Sequence, residues 1–113
     1  MTTPLDKELT ELKEKLLTMA SHASIAVRNA VKALVDRDDD LARKVKEDDD
    51  ILDRYEMEVD ELSIVLLSRA PLPTDLRLIT MAMKISRDLE RVGDEATTIA
   101  RRPINPSWSA APV

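Results

Sequence analysis

The chain has 113 residues, 43% of them apolar, and a formal net charge of −5. That length supports one domain with its own core, and the absence of cysteine excludes disulfides, zinc ribbons and thiol catalysis while fitting a reducing cytosol. The acidic balance, without a basic stripe, argues against nucleic acid and points to cations or basic protein surfaces as partners.

Aromatic side chains are limited to Tyr55 and Trp108, and Gly93 is the single glycine, so the core has to come from Leu, Ile, Val, Met and Ala. Those residues favour helices, and almost nothing is available for hairpin turns. The opening Met1-Thr2-Thr3-Pro4 carries no basic or apolar export signal. No apolar run approaches the roughly 18 residues of a membrane span, so neither export nor membrane crossing is expected.

From Leu5, the residues Leu9, Leu12, Leu16, Met19, Ala23, Ala26, Ala30 and Ala33 follow in helical steps, predicting a first helix over about 5–37. A second apolar row, Val27, Val31, Leu34 and Val35, is expected to face a second neighbouring helix. His22 falls with Glu8, Lys15 and Asn29 on a polar row and reads as an exposed histidine. Asp36-Arg37-Asp38-Asp39-Asp40 breaks the pattern, and Asp38 or Asp39 is expected to cap the next helix.

That second helix is predicted over about 40–70, with Val45, Leu52, Val59 and Leu66 spaced by heptads and Leu41, Tyr55 and Leu62 between them; Asp48 takes the one intervening site that should be apolar. Pro71-Leu72-Pro73 stops it, and Thr74-Asp75 is expected to cap a third helix over about 74–102. In that helix the expected core row is Leu78, Ile85, Val92 and Ile99, with Ala82, Leu89 and Ala96 between. Pro103 ends it, after Arg101-Arg102 at the negative helix end. The prediction is therefore an all-α, antiparallel three-helix bundle over 1–102, followed by an irregular, disordered Pro-containing tail over 103–113 that carries Trp108.

On the second helix, Asp49, Asp53, Glu56 and Asp60 follow at helical spacing and fall in one stripe about 60° wide, beside the core row and open to cations. Like charges one turn apart repel, so such a row is a local cost unless it is screened, paired with basic groups or bound to metal. The third helix repeats the pattern with Glu90 and Asp94, so Glu56/Asp60 and Glu90/Asp94 form two Glu-x-x-x-Asp clamps. All-oxygen ligands suit magnesium, calcium, manganese or iron, whereas zinc usually takes nitrogen or sulfur as well. Gly93, beside the second clamp, either admits a ligand or lets two helices pack closely. The opposing reading pairs the carboxylates with Arg77, Arg87 and Arg91.

Leu76, Ile79 and Met83 share the wheel sector of Glu90 and Asp94, and Ile64 and Leu67 lie near the extended acidic stripe of the second helix. Together they predict an interface with a second copy or another bundle. No serine or threonine has a base at recognisable spacing and no glycine-rich phosphate loop is present, so catalysis is not expected.

The run Asp75-Leu76-Arg77, then Asp88-Leu89-Glu90-Arg91-Val92-Gly93-Asp94 with Ala96 and Ile99-Ala100, resembles the third helix of a PhoU repeat. Leu41-Ala42, Val45, Asp49 and Glu56 to Asp60 resemble its second helix, and the Leu-rich start through Met19 to Ala33-Leu34 resembles its first, so the likeness covers about 5–102. Members of that family usually carry two such repeats and hold multinuclear iron or zinc clusters on Glu/Asp-x-x-x-Asp motifs.

The resemblance thus implies metal ligands at Glu56, Asp60, Glu90 and Asp94, with Asp49 and Asp53 joining them, and iron or zinc as the ion, while the all-oxygen donor set also suits manganese or magnesium. It implies a non-catalytic, cytoplasmic negative regulator of phosphate uptake and of the phosphate-starvation response. Such a regulator touches a phosphate transporter's ATPase and a sensor kinase, with peripheral membrane association. This sequence has one repeat followed by a proline-containing tail, as in either a single-repeat member or a fragment, and a homodimer would supply the second half. The alternative is a purely structural, homodimerising bundle without metal.

Overall fold

The computed structural model describes residues 3–69 and 71–101 and consists there of three helices: α1 (Pro4–Asp36), α2 (Asp39–Ser68) and α3 (Pro73–Arg101). Each packs on both of the others. The tail with Trp108 lies outside the described residues.

Local chemistry sets the helix ends. Thr3 and Asp6 form a capping box in which the Thr3 hydroxyl accepts from the Asp6 N–H at 3.0 Å and the Asp6 carboxylate accepts from the Thr3 N–H at 3.2 Å, with Pro4 in the first turn. At the other end Arg37 adopts a left-handed conformation (φ 53°), returning its N–H to the Ala33 carbonyl, and Asp38 then caps α2 by accepting from the Leu41 N–H at 3.0 Å. Two residues therefore reverse the chain. The third helix begins at Pro73, with the Leu76 N–H donating to the Leu72 carbonyl at 2.8 Å, so Thr74 and Asp75 occupy its first turn and do not cap it.

The core is graded along the bundle. At the end holding the start of α1, Leu9, Leu12, Val59, Leu66, Ile79 and Ala82 pack together. Met19, Ala23 and Leu52 form the middle with Tyr55, Leu89 and Val92 against them. Ala26, Ala30, Val45 and Ala96 form the far end. Side chains shrink toward that end, so the helix axes can approach there, and interaxial distance follows the size of the side chains at the contact.

The buried face of α3 is rotated about a quarter turn from the expected one. Its buried residues are Ile79, Ala82, Ser86, Gly93, Ala96 and Thr97, while Leu78, Val92 and Ile99 flank them half-buried and Ile85 is 40% exposed. Close packing puts the smallest residues at the line of contact and moves larger apolar ones to its sides. A reading weighted by hydrophobicity therefore follows the flank.

Two expectations change as a result. Ile79, assigned to an external interface, is fully buried in the bundle's own core, and Met83 is half-buried against it; Leu76, Ile64 and Leu67 remain exposed. The second apolar row of α1 is not buried against a neighbouring helix: Val27, Val31, Leu34 and Val35 are all exposed, Val35 most of all. His22 is half-buried, its ring 6.0 Å from that of Tyr55, and it lines a small cavity with Asn29 and Asp48.

Candidate metal centre

Carboxylates from two helices converge along the α2–α3 groove at the level of Leu52 and Gly93. One oxygen each from Asp49, Asp53 and Asp94 lie within 4.8 Å of one another. Asp49 and Asp53 come from consecutive turns of α2, and Asp94 crosses from α3. Glu90, one turn before Asp94, interacts with both Asp94 and Asp53, and Glu56 feels Asp60, Asp53 and Asp94.

The sequence placed Glu56/Asp60 and Glu90/Asp94 first and Asp49 and Asp53 second. Geometry reverses that order for α2, because the closest carboxylates are Asp49 and Asp53. Asp60 is half-buried at the edge, where its charge raises Glu56.

Gly93 explains how the helices come close enough. A Cβ at this position would collide with Leu52 Cδ1 and lie 2.9 Å from Asp49 Oδ1. Of its two sequence readings, close helix packing is the one the structure realises. The missing side chain also leaves Asp49 tucked against α3.

We expect Gly93→Ala to destabilise the protein by about 1 kcal/mol net, since overpacking outweighs the gain in helix propensity. It should also weaken cation binding by displacing Asp49, and differential scanning calorimetry with and without manganese would read both effects. A variant more stable than wild type with unchanged manganese affinity would contradict this packing account.

The electrostatics of the cluster are unfavourable without a counterion. Burial, the charges of Asp94 and Asp53, and a hydrogen bond to Asp94 push the Asp49 carboxyl up to about 6. Burial and hydrogen bonds to Asp94 and Asp53 push Glu90 up to about 8. Glu56 is raised too, first by burial and then by Asp60 and Asp53, against an opposing pull from Arg87. Two bare carboxylates cannot donate to one another, so groups held this close repel unless one of them keeps a proton.

Asp49 Oδ1 is moreover buried with no hydrogen-bond partner. A buried, unpartnered carboxylate oxygen facing other carboxylates has two ways to be satisfied, a shared proton or a cation. The arginine alternative is not realised: among the described residues, none of Arg77, Arg87 and Arg91 stands within 4.0 Å of a carboxylate. An all-carboxylate donor set fits hard cations, and Asp49, Asp53 and Asp94 would hold one, with Glu56 and Glu90 one turn along α2 and α3 for a second.

The groove continues past the carboxylates as a cavity of about 290 Å³ lined by Lys46, Asp49, Asp50, Asp94, Thr97, Thr98 and Arg101. The sequence pattern did not single out Lys46 or Thr97, and it assigned Arg101 only to the helix end. Lys46 stands three residues before Asp49 and Thr97 three after Asp94, so extending each acidic stripe by one helical turn would have reached both.

Residues 16–102 match the model of the PhoU domain. A phosphate-specific transport system accessory protein PhoU homolog from Pseudomonas aeruginosa is 43% identical over 98 residues, covering 86% of this chain and 40% of the relative. A homolog of the same name from Rhizobium meliloti is 41% identical over 108 residues, covering 95% of this chain and 46% of the relative. The Escherichia coli phosphate-specific transport system accessory protein PhoU is 33% identical over 95 residues, covering 83% of this chain and 39% of the relative. The chain thus spans less than half the length of these relatives. Matched across all three of its helices, the chain belongs to the PhoU family.

Proposed function

We propose that this chain acts as a metal-binding, non-catalytic interaction module of a phosphate-transport accessory system in the cytoplasm. In this reading it restrains phosphate uptake and phosphate-starvation signalling through contacts with the transporter's ATPase and a sensor kinase. Support for the setting comes from the relatives, which are named as accessory proteins of phosphate-specific transport. No helix among the described residues is long and apolar enough to cross a membrane, so contact with a transporter would be peripheral.

One observation carries the metal part: Asp49, Asp53 and Asp94 meet from two helices around a buried Asp49 oxygen that has no partner. Iron, manganese and magnesium suit an all-oxygen site, and zinc enters by resemblance. Bound there, a cation would supply positive charge between α2 and α3. The residues themselves orient it, Asp49 through its wedge against Gly93 and Asp94 from the facing helix. Ile64, Leu67 and Leu76, exposed on the same two helices, are where a second three-helix unit would pack to form a dimer.

Elemental analysis of the purified protein, followed by manganese titration of chelator-treated samples, tests the metal reading. Wild type is expected to take up metal, and Asp94→Ala and Glu90→Ala to lose at least about tenfold in affinity, as loss of a ligand or its support typically does. Equal affinities in wild type and both variants, or no uptake by wild type, would refute it.

A further inference from the structure

The cavity beside the carboxylates is mixed in charge. Lys46 and Arg101 line it from α2 and α3, and both also border the adjoining part of the groove toward Asp39 and Ala42. Among the described residues neither basic side chain has a carboxylate within 4.0 Å, so both heads are available to an incoming anion.

Thr97 is the second, independent feature. It is only 7% exposed, it lines this cavity, and its Oγ1 has no hydrogen-bond partner. Its neighbour Thr98 satisfies its own hydroxyl on the Asp94 carbonyl at 3.0 Å, the ordinary solution for threonine in a helix. Thr97 makes no such bond. A buried hydroxyl left unpaired on a polar cavity is a donor awaiting an acceptor.

We propose that the α2–α3 cavity binds a phosphate-type oxyanion between Lys46, Arg101 and Thr97, and does so only when the neighbouring carboxylates hold a cation. The inference rests on the metal reading above and names a ligand for the remainder of the same groove. Its conditional character follows from charge. Asp49, Asp50 and Asp94 line the cavity with three carboxylates against the two basic groups, so the metal-free site repels an anion. A divalent cation on Asp49, Asp53 and Asp94 offsets that negative excess and offers the oxyanion a third positive contact. Linkage then makes the effect reciprocal, so the oxyanion tightens the cation.

Isothermal titration of inorganic phosphate into the full chain, in parallel with manganese present and after chelation, tests the proposal. Phosphate is expected to bind the manganese-loaded protein at least about tenfold more tightly than the metal-free protein. The double variant Lys46→Gln/Arg101→Gln should weaken phosphate about tenfold or more while manganese uptake, measured without phosphate, is undiminished. Thr97→Val should weaken phosphate and yet raise the thermal midpoint of the metal-free protein, because it removes an unpaired buried hydroxyl.

Manganese uptake with no phosphate binding overturns this inference and leaves the metal reading standing, whereas no manganese uptake overturns both. Equal phosphate affinity with and without metal, or wild-type affinity in all three substitutions, also overturns it.

Discussion

Replacing Ile79 with alanine is expected to destabilise the bundle by about 3 kcal/mol, within the range measured for truncating fully buried aliphatic side chains. For a protein of this size that corresponds to a fall in Tm of roughly 15 °C. Ile79 is among the largest fully buried side chains, and it fills the layer made by Leu9, Leu12, Val59 and Leu66. Its removal leaves a cavity that three stiff helices cannot close. Leu76, one turn earlier and 43% exposed, should cost no more than about 0.5 kcal/mol when truncated.

Chemical denaturation of the two variants beside wild type separates a core role from an interface role. An interface residue would change oligomeric state and leave the denaturation midpoint of the monomer where it was. If Ile79→Ala behaved that way and Leu76→Ala unfolded the protein, the rotated α3 face described above would be wrong. Manganese binding should be unaffected in Ile79→Ala below its unfolding transition, since its layer is separate from the middle one, where Leu52 lies beside Gly93 and Asp49.

The same residue marks the limit of what the sequence disclosed. Helix number, order and approximate ends were legible because apolar residues recur at heptad spacing along α1 and α2, and because Asp38 and the prolines around Leu72 punctuate the chain. The orientation of α3 was not, because its line of contact runs through Ser86, Gly93 and Thr97, residues that no hydrophobic pattern would select. Carboxylates sharing a stripe on one helix could likewise be read from spacing alone. Which of them meet across the groove depends on how α2 and α3 are rotated against each other, and that is set by the Gly93–Leu52 contact. Asp49 therefore moved from the margin of the predicted set to its centre, while Asp60 moved to its edge.

The rotation that brings these carboxylates together has a cost that pH should expose. In the folded chain Asp49 holds its proton up to about 6 and Glu90 up to about 8, well above their ordinary values of 3.8 and 4.5. Over that interval the folded state binds more protons than the unfolded one, so stability falls as pH rises. The contribution is fully present below about pH 4, declines through 6 and 8, and is flat above.

After allowance for solvent at a partly open groove, the loss is on the order of 2 kcal/mol between pH 5 and 8.5 for the metal-free protein. A cation binding the ionised cluster should reverse it, adding about 2.7 kcal/mol when present at a hundredfold excess over its Kd. Manganese should accordingly raise Tm far more at pH 8 than at pH 5.5, where it competes with protons for the same oxygens.

Glu90→Gln provides the internal control. It removes the group that titrates highest while keeping its shape, so the metal-free profile should flatten and the protein should gain stability at pH 8. Manganese stabilisation should shrink at the same time. Thermal melts across this pH range, with chelator and with manganese, would show all three effects. A metal-free Tm that stays level or climbs toward pH 8 would mean that these carboxylates ionise freely, and the groove would then lack the electrostatic strain that makes it a cation site.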